Sequence, residues 1–313
     1  MQVLLKIISG LITNWFLTKI IVKPFKKLIP DVPNRRSLHD SIKPRGGGIT
    51  FIFSNLIITY IIGGDKFLFL IPLCFVCLLD DFFNLNRWLR LITQLTTSLV
   101  LVFNVNSIDL IFTINNYFLI IFLAFTLAIF LTAIINFCNF MDGIDGILTL
   151  TIIVILISAS LISTASVSVL IGSLIGFLFW NWSPSKIFMG DIGSNFLGGV
   201  LIWAILNTTS VNNSLALLLI SLPLLLDPLI CLLIRFFYKE NIFNAHSNHL
   251  YQRLVQGGMS HQMVTIIYAA SSAFISFSFF VGGLKAEIFS CLFVLILGLY
   301  LNKNFAINFK RDI

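Results

Sequence analysis

Several stretches of this chain bring together carboxylates, imidazoles, guanidinium groups and glycines beyond what connecting loops require. Asp80 and Asp81 close the apolar run CFVCLLDDFF. Adjacent carboxylates at an apolar edge repel each other unless a cation sits nearby. Arg87 and Arg90 follow, as neutralising partners or as holders of a phosphate. In NFCNFMDGIDG, residues 136–146, Asn136, Asn139 and Asp142 recur every third residue and on a helix would share one face. Asp142 and Asp145 each precede a glycine, which lets backbone come close to a ligand, and the free N–H groups of a following helix would serve an anion. In FMGDIGS, residues 188–194, Asp191 stands between Gly190 and Gly193, with Ser194 as an N-cap for the next helix and Lys186 near for phosphate. One carboxylate on flexible backbone suits Mg²⁺, which takes one or two carboxylates and fills its shell with water and substrate phosphate.

His246 and His249 are three residues apart, so a helix would present both on one side. A zinc site would want a third and fourth ligand, for which only His261 and Glu240 stand close in sequence. Imidazoles that bind phosphate or assist a departing group fit better. The basic loop DVPNRRSLHDSIKPRGGG, residues 31–48, ends in three glycines and reads as a phosphate cradle containing Arg45 and Gly47, or as a patch for anionic headgroups. It lacks the G-K-[ST] of a P-loop. Asp227 falls inside an apolar run, with Arg235 eight residues on as its candidate partner in a structural or functional pair.

The elements that carry these residues are set by composition. Of 313 residues, 58% are hydrophobic and 11% charged, whereas a soluble domain carries roughly 25% charge. Such a chain cannot cover its own surface in water, so it is expected to be a single integral-membrane catalytic domain over 1–313. Apolar runs at 2–22, 48–63, 67–79, 91–104, 117–135, 147–163, 167–182, 195–206, 214–234, 263–282 and 286–302 predict an all-α polytopic bundle of about eleven transmembrane helices. The first run is longer than a signal-peptide core and has no small-residue cleavage site, so it reads as an uncleaved helix. The five cysteines lie in or beside apolar runs, and the Cys74–Cys77 pair reads as small apolar filler.

Loops on one side of these runs hold 16 of the 20 Lys and Arg residues. By the positive-inside rule that side is cytoplasmic, the N-terminus is outside and the C-terminus inside. Nine of the thirteen carboxylates and all four histidines share it, whereas Asp65, Asp109 and Glu287 fall outside. Chemistry is therefore expected at the cytoplasmic membrane face. The echo between FMDGIDG and FMGDIGS is too short to establish an inverted repeat.

Taken in order, D-x-P-N-x-R-S-x-H with P-R-G-G-G, L-D-D-x-x-x-L, N-F-x-D-G-x-D-G, F-M-G-D-x-G-S and H-x-x-H-L-Y-Q-R-L resemble the polyprenyl-phosphate N-acetylhexosamine-1-phosphate transferase superfamily, glycosyltransferase family 4. The resemblance runs over almost the whole chain. The H-L-Y-Q-R-L ending, without a three-histidine cluster, is closer to the initiators of O-antigen and surface polysaccharide than to the murein branch, although Ser247-Asn248 stands where related initiators often carry more basic character. The resemblance implies that a polyprenyl phosphate, undecaprenyl phosphate in bacteria, attacks the β-phosphorus of a UDP-N-acetylhexosamine at the inner membrane and releases UMP. It also implies Mg²⁺, with Mn²⁺ as the substitute, on Asp191 with Asn139. Asp142 and Asp145 would hold the nucleotide, His246 and His249 the diphosphate, and Arg45, Gly47, Asn136 and Arg253 would complete the substrate contacts. Asp80 or Asp81 is cast in this family as the base. A phosphate monoester, however, has a second pKa of ~6, so the pair is expected mainly to orient the lipid phosphate. Nothing points to nucleic acid. A transporter of lipid-linked sugars would need polar residues in the middles of several spans, where only Asp227 lies. A lipid-diphosphate phosphatase would share the charged loops but release inorganic phosphate.

Overall fold

The computed structural model describes residues 1–33, 37–104, 116–241, 244, 246–309. Asn34, Arg35 and Arg36 of the basic loop, Asp109 of the expected outer loop, and Lys310, Arg311 and Asp312 at the end lie outside the described residues.

The chain is helical nearly throughout. Its helices are α1 (Gln2–Leu28), α2 (Gly48–Ile62), α3 (Ile71–Phe83, after a 3₁₀ turn at Leu68–Leu70), α4 (Arg87–Asn104), α5 (Tyr117–Phe140), α6 (Ile147–Ile162), α7 (Ser168–Asn181), α8 (Gly190–Leu206), α9 (Val211–Ile220), α10 (Leu222–Phe237), α11 (Leu250–Gln256) and α12 (His261–Asn304). Among the described residues the exceptions to the all-α expectation are a ribbon of two residue pairs, β1 (Pro30–Asp31) antiparallel to β2 (Lys43–Pro44), and a single bridge between Ser163 and Thr208. The ribbon closes the basic loop and delivers Arg45 to the bundle.

Helix starts and stops follow the apolar runs because a backbone without water must satisfy its polar groups within the segment. Several helices run four to six residues past their apolar runs, and at two places the count of helices differs from the count of runs. The run 214–234 breaks at Ser221, ahead of Pro223, and α9 and α10 meet at 67°. The last two runs join as α12, interrupted at Gly283 with φ 65° and ψ −165°. By length and composition α1, α5 and α12 can each cross a membrane, and the bent α9–α10 pair adds a fourth if it counts as one span. α2, α6, α7 and α8 are apolar but shorter. Phe118, Phe122 and Phe130 of α5 are exposed, as side chains facing lipid are. This is a membrane protein.

α8 sits at the centre, buried along nearly its whole length and packed against α2, α3, α5 and α6. α1 lies along α7 so closely that a Cβ on Gly172 would stand 2.0 Å from the Ile7 carbonyl. Small residues let helices approach this way where lipid gives no hydrophobic drive to associate. All five cysteines are free and buried.

Candidate active site

The N-terminus of α8 organises the site. Asp81, at the end of α3, accepts the backbone N–H of Asp191 at 3.1 Å on one carboxylate oxygen and that of Ile192 at 3.2 Å on the other. The first turn of α8 is thereby satisfied from a neighbouring helix. Ser194, expected as the cap, lies one turn inside α8 and instead accepts from Asn139 Nδ2 at 2.8 Å. Sequence order could not reveal a cap supplied from 110 residues away.

Three carboxylates and two guanidinium groups share this corner. Arg45 Nη2 is 3.0 Å from Asp81 Oδ1 and 3.8 Å from Asp191 Oδ1. Arg90 Nη1 donates to Asp80 Oδ2 at 3.0 Å and, more closely, to Asp191 Oδ2. Asp80 Oδ1 also accepts the Leu85 N–H at 2.6 Å. Asn139 donates to Asp191 Oδ1 at 3.0 Å. An amide chain supports Asp191 from behind: Asn136 donates to Gln94, Gln94 to Asn195, and Asn195 to the Asp191 carbonyl. Gln94 and Asn195 carry no sequence signal beyond being polar in apolar helices, which is the signal that would have found them.

The glycine run is a packing joint. Gly47 and Gly48 donate their N–H groups to the carbonyls of Phe188 and Met189 at 2.8 Å, and a Cβ on Gly48 would come within 2.3 Å of Gly193 Cα. Neither amide is available to a phosphate, which corrects Gly47 as a backbone contact to substrate and takes two of the three glycines out of the expected cradle. The glycines are there so that the N-termini of α2 and α8 can touch backbone to backbone.

Asn136 and Asn139 lie on α5, but the helix ends at Phe140, so Asp142 sits past its end rather than on a common face. Burial, reinforced by the charges of Asp191 and Asp81, holds the Asp142 carboxyl well above the usual range. Asp145 is held by other partners. Its oxygens accept from Ser185 N at 3.1 Å and Ser185 Oγ at 2.7 Å, and Lys43 Nζ stands 3.5 Å off. Burial works to raise this carboxyl, but contacts with His261 and Ser185 outweigh it and hold it well below the usual range. The structure thus makes Asp145 a tie between β2, the 183–186 turn and α12. Lys186, expected near a phosphate, lies over the Trp180 ring at 5.1 Å. The first residues of α6, Ile147 to Thr149, are fully buried and offer no anion site.

α11 repeats the capping device of α8. Asp227 on α10 accepts the N–H of Leu250 at 2.7 Å and of Tyr251 at 3.0 Å, and the Tyr268 hydroxyl at 2.6 Å. Its expected partner Arg235 is committed elsewhere, to Glu240 at 2.9 Å and to the carbonyls of Asn241 and Asn244. The histidines are not on one helix: His246 precedes α11 and His249 is its N-cap, yet their rings lie 4.8 Å apart. Burial, with the charges of Arg235 and Arg253 adding, pushes the His249 imidazole down to about 4. Tyr251 donates to the Phe140 carbonyl at 2.9 Å and ties α11 to the end of α5. Arg253, expected on substrate, spends its guanidinium on Asn248 O, Ile307 O and Asn302 Oδ1. It holds the histidine loop and the tail of the chain together.

Two cavities converge here. One, of about 850 Å³, runs between α4, α5 and α10 past Trp88, Leu91, Leu95, Ile129 and Leu232, with Arg87, Arg90, Asn136 and His249 at its polar end. The other, of about 420 Å³, is bounded by Asp31, His39, Arg45, Asp142, Phe188 and Asp191. Asn139, His246 and Gln252 line both. Of the expected site residues, Asp191, Asn139, Asn136, Arg45, Asp142, His246 and His249 line one cavity or the other. Asp80 and Asp81 stand one contact behind, through Arg90 and Arg45, whereas Gly47, Asp145 and Arg253 line neither.

The sequence is similar to those of known proteins. The family model described as glycosyl transferase family 4 matches residues 66–209. A probable undecaprenyl-phosphate N-acetylglucosaminyl 1-phosphate transferase of Bacillus subtilis is 29% identical over 301 residues, covering 85% of this chain and 82% of the relative. An undecaprenyl-phosphate alpha-N-acetylglucosaminyl 1-phosphate transferase of Thermotoga maritima is 30% identical, covering 78% of this chain and 80% of the relative. A phospho-N-acetylmuramoyl-pentapeptide-transferase of Streptococcus mutans is 28% identical but covers only 62% of this chain. With its carboxylates gathered at one helix terminus and relatives matching over about four fifths of its length, the chain belongs to glycosyl transferase family 4 and is an enzyme of its phosphotransferase branch.

Proposed function

We propose that the protein transfers an N-acetylhexosamine 1-phosphate from a UDP-sugar to undecaprenyl phosphate, releasing UMP and starting a lipid-linked glycan. The observation that carries this reading is the meeting of an apolar cavity and a polar one at Asn139, His246 and Gln252. A polyprenyl chain fits the first, a nucleotide diphosphate the second, and their phosphates would meet beside Asp191. The relatives' names supply undecaprenyl phosphate as acceptor and N-acetylglucosaminyl phosphate as the group moved. We place the reaction at the cytoplasmic face of a bacterial inner membrane, in a bundle of about eleven crossings with the N-terminus out and the C-terminus in, on the strength of the basic-residue asymmetry.

Each step is within reach of these side chains. The lipid phosphate, largely dianionic at neutral pH because its second pKa is ~6, needs orientation more than deprotonation. Arg87, Arg90 and His249 at the polar end of the apolar cavity provide that. Its oxygen attacks the β-phosphorus of the donor, and the bond from that phosphorus to the bridging oxygen breaks and leaves UMP. Arg45 neutralises charge in the donor cavity, His39 and Asp142 line it, and the Phe188 ring offers a flat face to a base. His246 at the junction touches the space both phosphates need. Asp80 and Asp81 hold Arg90 and Arg45 in position.

The oxygen donors fit a hard divalent cation: Asp191 and Asn139 face the donor cavity, and Arg45 and Arg90 already hold positive charge against Asp191. These residues would hold Mg²⁺, or Mn²⁺ in its place, and the ion when bound neutralises charge across the diphosphate. The remaining work is positioning and charge stabilisation. The test is to incubate purified protein with undecaprenyl phosphate, Mg²⁺ and a panel of UDP-N-acetylhexosamines. Lipid-dependent UMP abolished by EDTA is expected, and no UMP from any donor would overturn the reading.

A further inference from the structure

Among the described residues one group of three soft or borderline ligands lies outside the acidic cluster. Cys231 on α10, His246 before α11 and His249 at its N-cap each offer a ligand atom, and the three atoms lie within 4.8 Å of one another. Cys231 is 3% exposed and His249 4%. A second observation points to a missing ligand here: His249 Nδ1 is buried with no hydrogen-bond partner. A buried polar atom left unpaired costs about 1–3 kcal/mol. Asp227 does not answer that need as a ligand, because its oxygens already accept from Leu250, Tyr251 and Tyr268. Its Oδ1 stands 3.9 Å from His249 Nδ1, beyond hydrogen-bond reach.

We propose that Cys231, His246 and His249 form a second metal site, selective for zinc and similar thiophilic divalent ions, whose occupancy inhibits the enzyme. The selectivity follows from the donors. Thiolate and imidazole favour zinc, whereas Mg²⁺ takes oxygen, so the two sites need not compete for the same ion. Three protein ligands leave one position of a tetrahedral ion open, which water or a substrate phosphate oxygen can fill. Binding releases one proton, from the Cys231 thiol, because the thiolate is the ligand. The Asn248 N–H donates to His246 Nδ1 at 3.4 Å and so bears on how that ring is turned. Cys231 lines a separate cavity of about 200 Å³ and the two histidines line the larger apolar one, so the ion sits on the wall between them. Inhibition follows because His246 borders the space where both phosphates meet, and its ring would be held by the ion. This inhibitory half rests on the transferase reading, and the binding half does not.

The probe is cobalt, whose thiolate complexes give an ultraviolet charge-transfer band. Full-length protein in detergent is titrated with Co²⁺ and then with Zn²⁺. One cobalt per chain with a charge-transfer band, bleached by stoichiometric zinc, is expected. Cys231→Ser and Cys231→Ala should both lose the band, with Cys74, Cys77, Cys138 and Cys291 still present as internal controls. No band in the wild type, or a band that survives both variants, would overturn the site. In the UMP-release assay with Mg²⁺ in excess, micromolar zinc should lower wild-type turnover at least tenfold. Cys231→Ser should keep its basal rate and need at least tenfold more zinc. Equal inhibition of wild type and variant would overturn the inhibitory role. A wild type that binds cobalt but releases no UMP would overturn the transferase reading and leave the metal site standing.

Discussion

Asp81 and Asp191 are joined through the backbone rather than through their carboxylates: Asp81 accepts the N–H of Asp191 and of Ile192, so α3 fixes where α8 begins. Both Asp81 oxygens are used, and Arg45 shares one of them at 3.0 Å. Asp81→Asn keeps one acceptor and turns the other atom into a donor facing an N–H. The first turn of α8 should shift and Asp191 with it, and removing such a cap costs about 0.5–2 kcal/mol. UMP release should fall about a hundredfold, and equally at pH 6 and pH 8.5. A loss that shrinks tenfold at pH 8.5, where the lipid phosphate is fully ionised, would instead mark Asp81 as a base.

Asp191 itself faces the donor cavity and carries the metal expectation. Asp191→Asn should lose the several kcal/mol of stabilisation that a bound divalent ion provides, about 10²–10³ in rate. Mn²⁺ binding followed by electron paramagnetic resonance should weaken in parallel, while the thermal midpoint stays within a few degrees of wild type. Intact Mn²⁺ affinity in this variant would move the ion to another residue.

The matching device on α11 predicts a different phenotype. Asp227 holds the N–H groups of Leu250 and Tyr251 and the Tyr268 hydroxyl while it is itself buried. Tyr268→Phe removes one hydrogen bond and should cost about 1 kcal/mol. Asp227→Asn leaves a buried donor against a backbone donor and should cost about 1–3 kcal/mol more. Thermal unfolding in detergent should rank the two in that order. Equal midpoints would mean that Asp227 is not the cap that sets α11.

How far these relationships could be read in advance depends on their range. Helix positions were legible because each is set locally: α2, α6 and α7 begin and end within a residue or so of their apolar runs. The break at Ser221 was not, because the run stays apolar through the bend and only Pro223 marks it. Asp191, Asn139 and Asp142 could be singled out because polar residues at helix ends in an apolar chain stand out, and Arg90 as a neutralising cation followed from its distance to Asp80. The misreadings share one cause. Gly47, Asp145, Arg253 and the Asp227–Arg235 pair were judged by residue type, but partners far along the chain decide what a side chain is free to do. Ser185 takes Asp145 from 40 residues away, and Asn302 takes Arg253 from 49.

His249 gives the bundle an acid-sensitive joint. Its imidazole titrates near 4 in the folded chain and near 6.5 when unfolded. A folded state that binds fewer protons is favoured at high pH. The stability tied to His249 is therefore fully present above pH ~6.5 and is lost as pH falls toward 4. Each pH unit in that window is worth at most about 1.4 kcal/mol, so wild type should lose up to about 2 kcal/mol between pH 6.5 and 5 from this group. Thermal midpoints are measured in detergent across that range for wild type and for His249→Gln. His249→Gln, which cannot titrate, should show a shallower slope whatever its absolute midpoint. Parallel slopes for the two proteins would place the acid sensitivity elsewhere and leave His249 without a share in it.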